Sequence, residues 1–153
     1  MKLTKKALLA ATPQFLSGFS EGDSEVFKGF EVDGLRVYYF GDAKKEMQEA
    51  ETKKLKALAK KYKILYADYT YEDYSGDAYV LGYDTEEKKF FEVHGSHCSC
   101  YGLEDQWDVE HCDVKELQEI LTRRFVDEFN SRWRRADSSE EFKTWIKNAM
   151  EAK

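Results

Sequence analysis

Proline is almost missing from this chain: Pro13 is the only one among 153 residues. That excludes a proline-rich linker, and 42% hydrophobic with 15% aromatic residues supplies enough apolar material to close one core. No apolar run approaches the roughly 20 residues of a membrane-spanning helix. Ala7-Leu8-Leu9-Ala10-Ala11, behind Lys2, Lys5 and Lys6, is shorter than the core of a secretion signal. A single domain in a cytoplasm is therefore expected. Cysteine and histidine are also scarce, three of each. An odd, bunched set of thiols suits a reducing compartment better than a disulfide scaffold.

What is present is charge, unevenly spread. The net value of −6 contains a segment, 64–113, with 13 acidic and 2 basic residues, and another, 43–63, with 8 basic and 3 acidic. A surface built from the acidic segment repels nucleic acid and attracts basic partners, so direct nucleic-acid binding is not expected. The lysines of 53–63 have no interleaved aromatics and no glycine loop, which points to a solvated helix surface.

Periodicity and turn chemistry predict an α+β fold. Thr4 caps a short first helix, and Thr12-Pro13 predicts a second N-cap with proline at the first helical position. Phe15, Phe19, Phe27 and Phe30 read as aromatic plugs at the core edge. Residues 26–32 and 35–40 are expected to form a hairpin through Asp33-Gly34. A central helix over 43–62 follows. Residues 64–71, 77–83 and 88–94 then read as a three-stranded antiparallel meander, its last strand putting Phe90, Glu92 and His94 on one face and Phe91 and Val93 on the other. Asp113-Val114-Lys115-Glu116 is a capping-box pattern opening a helix to about residue 136. Ser138-Ser139-Glu140-Glu141 opens a last helix that turns Phe142, Trp145, Ile146 and Met150 inward. The two C-terminal helices and the central helix are expected to pack against the antiparallel sheet.

All three histidines and all three cysteines lie between His94 and Cys112. Three accounts of that window stand side by side. Zinc takes thiolate and imidazole, and His97, Cys98, Cys100 and His111 make a possible set, although pairs of adjacent ligands seldom converge on one ion. A cysteine-dependent enzyme would use Cys98 or Cys100 as thiolate, His97 or His94 as base and Glu104 or Asp105 to orient the base. Alternatively, the residues satisfy the backbone of a tight turn around Gly102, with Tyr101 and Trp107 packed beneath. Cys98 and Cys100 are expected to matter to fold or site more than Cys112, on the strength of the loop resemblance that follows.

The run Gly95-Ser96-His97-Cys98-Ser99-Cys100-Tyr101-Gly102-Leu103-Glu104-Asp105-Gln106-Trp107, preceded by Asp73-Tyr74-Ser75-Gly76, resembles a group of small proteins of tailed phages and their bacterial hosts. The likeness covers about residues 66–121 and does not extend to His94, His111 or Cys112. It implies a phage accessory protein acting in a bacterial cytoplasm and carries over no catalytic residue. With it, the acidic tyrosine-rich stretch Tyr66, Asp68, Tyr69, Tyr71, Asp73, Tyr74 and Asp77 reads as a face that binds, and inhibits, a basic host macromolecule. A solvated tyrosine-rich sheet face accounts for the same residues.

Overall fold

The computed structural model describes residues 3–32, 35, 44–72, 75–98, 102–127 and 140–151. The elements run α1 (Lys5–Ala10), β1 (Gln14–Ser17), α2 (Asp23–Gly29), α3 (Lys44–Lys61), β2 (Tyr62–Glu72), β3 (Ser75–Asp84), β4 (Lys89–His97), β5 (Glu110–Cys112), α4 (Val114–Asp127) and α5 (Glu140–Glu151). This is an α+β fold. Its five-stranded sheet is ordered β1-β2-β3-β4-β5 and is antiparallel except at β1, which lies parallel to β2.

Local chemistry accounts for the element ends. Thr4 Oγ1 accepts the Ala7 amide at 3.0 Å and opens α1. The Asp113 carboxylate accepts the Glu116 amide at 2.8 Å while Glu116 accepts the Asp113 amide at 3.3 Å, a reciprocal box that starts α4. Thr85, in the β3–β4 turn, donates its hydroxyl to the carbonyls of Lys60 and Lys61, closing the C-terminal end of α3.

The meander is as expected, but both faces of the sheet are covered. One carries Tyr66, Tyr79, Leu81 and Phe90 beneath Leu8 of α1, Leu117 and Leu121 of α4, and Phe142, Trp145 and Ile146 of α5. The other carries Ala67, Val80, Phe91 and Val93 beneath Phe27 and Phe30, Leu58 of α3, and Leu103 from the chain after β4. A register slip between Ile64 and Tyr66 lets Leu65 and Tyr66 join the same cluster. Each fully buried Leu or Phe contributes about 1.5–3 kcal/mol.

Two local expectations are corrected. Residues 26–29 are the second half of α2, not a strand: Asp23 and Glu25 occupy the first turn, Lys28 the last, and Val26 and Phe27 turn inward. Asp33-Gly34 and the partner stretch 36–40 lie outside the described residues. Thr12-Pro13 leads into strand β1, not a helix. A proline with no amide to donate also suits the residue before an edge strand. The helix starting at Val114 is described as far as Asp127, and Ser138-Ser139 lie outside the described residues.

Candidate functional site

The loop after β4 is seated by four of its own residues. Gly95 lies so close to the second core cluster that a Cβ there would sit 2.9 Å from Phe30 and 3.0 Å from Leu103, so only glycine fits unshifted. Leu103 is buried, and the Trp107 ring packs edge-on against Phe30, Tyr62 and Phe91 at 5.2, 5.6 and 5.9 Å. Gln106 latches the loop: Oε1 accepts the Ser96 amide at 2.8 Å, and Nε2 donates to the carbonyls of Ser96 at 2.7 Å and Gly102 at 2.8 Å. Asp105 takes the left-handed backbone (φ 63°) that turns the chain back toward Gln106.

Ser96 and Gln106 of this latch, with His97, Cys98, Glu104 and Asp105, line a groove of about 430 Å³. Cys98, Glu104 and Asp105 are exposed, while His97 is half-buried with its ring edge-on to Tyr69 at 5.1 Å. One thiol, one imidazole and two carboxylates thus share a surface. Ser99, Cys100 and Tyr101 lie outside the described residues.

Of the proposed zinc ligands, His97 and Cys98 are not brought together with His111, and Cys100 lies outside the described residues. His111 pairs opposite Phe91, six residues along β4 from His97, a separation of about 20 Å at roughly 3.3 Å per residue. Among the described residues no group of three or more His, Cys, Asp or Glu is placed to hold a metal ion. His111 Nε2 instead donates to Asp84 Oδ2 at 2.8 Å, while Asp84 Oδ1 accepts the amides of Glu86 and Glu87 at 3.0 and 3.1 Å. Burial alone would push the Asp84 carboxyl up. The hydrogen bonds from His111, Glu87 and Glu86 outweigh burial and hold it below its ordinary range. His94 goes to a third place, on the opposite sheet face from His97, its ring 5.2 Å from that of Tyr79.

The described residues of the acidic tyrosine stretch do not form an exposed field. Tyr66, Asp68 and Tyr69 are 0, 4 and 7% exposed, because helices cover one sheet face and α2, α3 and the loop cover the other. Asp77 is half-buried. Nothing is described of the side chain of Tyr71 or of Asp73 and Tyr74. Exposed carboxylates of the acidic segment lie elsewhere: Glu86 and Glu87 in the β3–β4 turn, and Glu104, Asp105, Asp108, Glu110 and Asp113 along the loop and the β5 edge.

On the face toward α5, Asp68, Tyr79 and His94 stand in register across β2, β3 and β4, with Thr70, Asp77 and Ser96 forming the next row. The Tyr79 hydroxyl donates to the buried Glu92 carboxylate at 2.5 Å. Burial pushes the Asp68 carboxyl above its ordinary range, and Glu141 and Asp77 add to this against hydrogen bonds from Ser17 and the Tyr69 backbone. The sequence-based reading missed the roles of Asp84 and Glu92. Signals existed: an aspartate opening a turn, and a glutamate at an inward-facing position between Phe90 and His94.

The chain matches no family model, no curated protein and no solved structure. Among the described residues no helix is long and apolar enough to cross a membrane.

Proposed function

We propose that the protein is a phage-type accessory protein that binds, and thereby inhibits, a host macromolecule in the bacterial cytoplasm. The binding surface is the groove after β4 with its acidic rim. The observation that carries this proposal is the division of labour in the loop. Gly95, Leu103, Gln106 and Trp107 are consumed by seating it, whereas Cys98, Glu104 and Asp105 are exposed together along the groove. Asp108, Glu110 and Asp113 extend the same charge along the β5 edge. A latched loop loses little conformational entropy on binding, and its carboxylates steer a basic partner. The phage-protein resemblance of residues 95–107 falls on the same loop.

The test is capture of partners from bacterial lysate at graded salt, with Glu104→Gln/Asp105→Asn beside the wild type. A partner whose association slows with salt and with the double variant is expected, since exposed charges are screened beyond roughly 8 Å at physiological ionic strength. A captured partner indifferent to both would show that this rim is not the contact surface.

A second reading, a cysteine-dependent enzyme, is favoured by one observation: Cys98 shares the groove with His97. Thiol titration of the native protein tests it. A single fast-reacting thiol that disappears in Cys98→Ser would support an enzyme. Uniformly slow thiols would remove it, and stoichiometric zinc in the purified protein would revive the metal module instead.

A further inference from the structure

We propose that the polar half of the sheet face beneath α5 is a binding site for a single organic cation, an ammonium or guanidinium group, with Asp68 as its anionic anchor. Asp68 is 4% exposed, and its Oδ1 is buried without a hydrogen-bond partner. A buried carboxylate oxygen that has given up water without gaining a protein donor is destabilising, so a donor arriving there is favoured. The other groups facing it decide what kind of donor. Asp77 of β3 and Glu141 of α5 both act on Asp68 electrostatically, and both are acidic.

A neutral amide or hydroxyl would satisfy Oδ1 but would not offset the repulsion that Glu141 and Asp77 exert on Asp68. A cation answers both needs. Metal ions are disfavoured, because among the described residues no three His, Cys, Asp or Glu are arranged to coordinate one. The rest of the surroundings suits an organic cation: Tyr79 stands directly opposite Asp68 on β3, with the His94 ring beyond it in the same row, offering aromatic surface to a weakly hydrated charge. Exposure rises from Asp68 to the next row, with half-buried Thr70 and Asp77 and exposed Ser96, which gives this half of the sheet face an open end.

The experiment is a calorimetric titration of the intact protein with methylguanidinium and butylammonium. N-methylurea and butanol serve as neutral controls, and short lysine- or arginine-bearing peptides as a separate arm. Saturable binding of at least one cation is expected, about tenfold or more tighter than its neutral control. Asp68→Asn should weaken it by about tenfold or more, and Glu141→Gln and Asp77→Asn each by a smaller factor. Lowering the pH should weaken binding as the Asp68 anchor protonates. Tightest binding by the small ions would mark a free metabolite-sized ligand, whereas tightest binding by the peptides would mark a partner's side chain. Absence of saturable binding by both ions and peptides would overturn the proposal, as would equal binding by the neutral controls or by Asp68→Asn. Should Asp68→Asn fail to fold by circular dichroism, Glu141→Gln and the neutral controls still decide.

Discussion

Gln106 supplies to Ser96, from one side-chain carboxamide, the pair of hydrogen bonds that a neighbouring strand would otherwise give: Oε1 accepts from the Ser96 amide and Nε2 donates to its carbonyl. The outer edge of β4 is closed beyond the short β5 by a side chain standing in for a strand. The loop between the two residues is held at both ends.

Replacing Gln106 by Leu should therefore release the loop without unfolding the sheet. Three hydrogen bonds are lost, two of them at exposed positions, for an expected cost of about 1–3 kcal/mol in urea unfolding. Hydrogen exchange should report faster exchange of the Ser96 amide, with the β2–β3 amides unchanged.

Asp84 and His111 should set the acid limb of stability. The folded carboxyl titrates below its ordinary value. Its contribution is accordingly present above the unfolded value of about 4 and lost as the pH falls through the folded value. Asp84→Asn should cost about 1.5–3 kcal/mol near neutral pH and flatten that limb in urea melts recorded across pH.

Asp68 has the opposite sign. Its folded value is raised, so its contribution is complete below the unfolded value of about 4 and declines as the pH rises toward the folded one. Asp68→Asn is expected to raise the melting temperature of the ligand-free protein near neutral pH. The advantage should vanish in acid; a variant less stable than wild type at every pH would contradict this.

Cys98 and Cys112 reverse their expected order where the fold is concerned, and Cys100 lies outside the described residues. Cys112 is 6% exposed within the cluster of Phe90 and Leu117, whereas Cys98 is exposed. Cys112→Ser should cost about 1–3 kcal/mol by burying a hydroxyl. Cys98→Ser should change stability by less than about 0.5 kcal/mol, so any effect it has on binding or thiol chemistry is a site effect.

These residues also mark what was legible in the sequence. The Asp113–Glu116 box, the Thr4 cap and the period-2 strands were readable because each rests on contacts a few residues apart, or on alternation within one segment. Tyr66 and Asp68 were misplaced because alternation tells which residues share a face and not what lies over it; here helices some fifty and more residues away in sequence cover them. Val26 and Phe27 misled for a related reason. Aromatic and β-branched residues fit a strand locally, but inward contacts on Phe30 and Leu58 reward a helix. The candidate loop was found by composition alone. Its latch needed coordinates, since nothing in a glutamine's sequence position says that it pairs with a strand edge ten residues back.

The parallel pairing of β1 with β2 also orders events in time. Gln14–Ser17 must wait for a strand about fifty residues downstream before any of its ladder bonds can form, while β2, β3 and β4 can zip through adjacent turns as they leave the ribosome. The Trp145 indole then donates to the Thr12 carbonyl at 2.9 Å, so the corner in front of β1 is closed only after α5 has been made. The first strand to be synthesised is thus among the last to be locked in. Until then the outer edge of β2 stays open to pairing with another nascent chain.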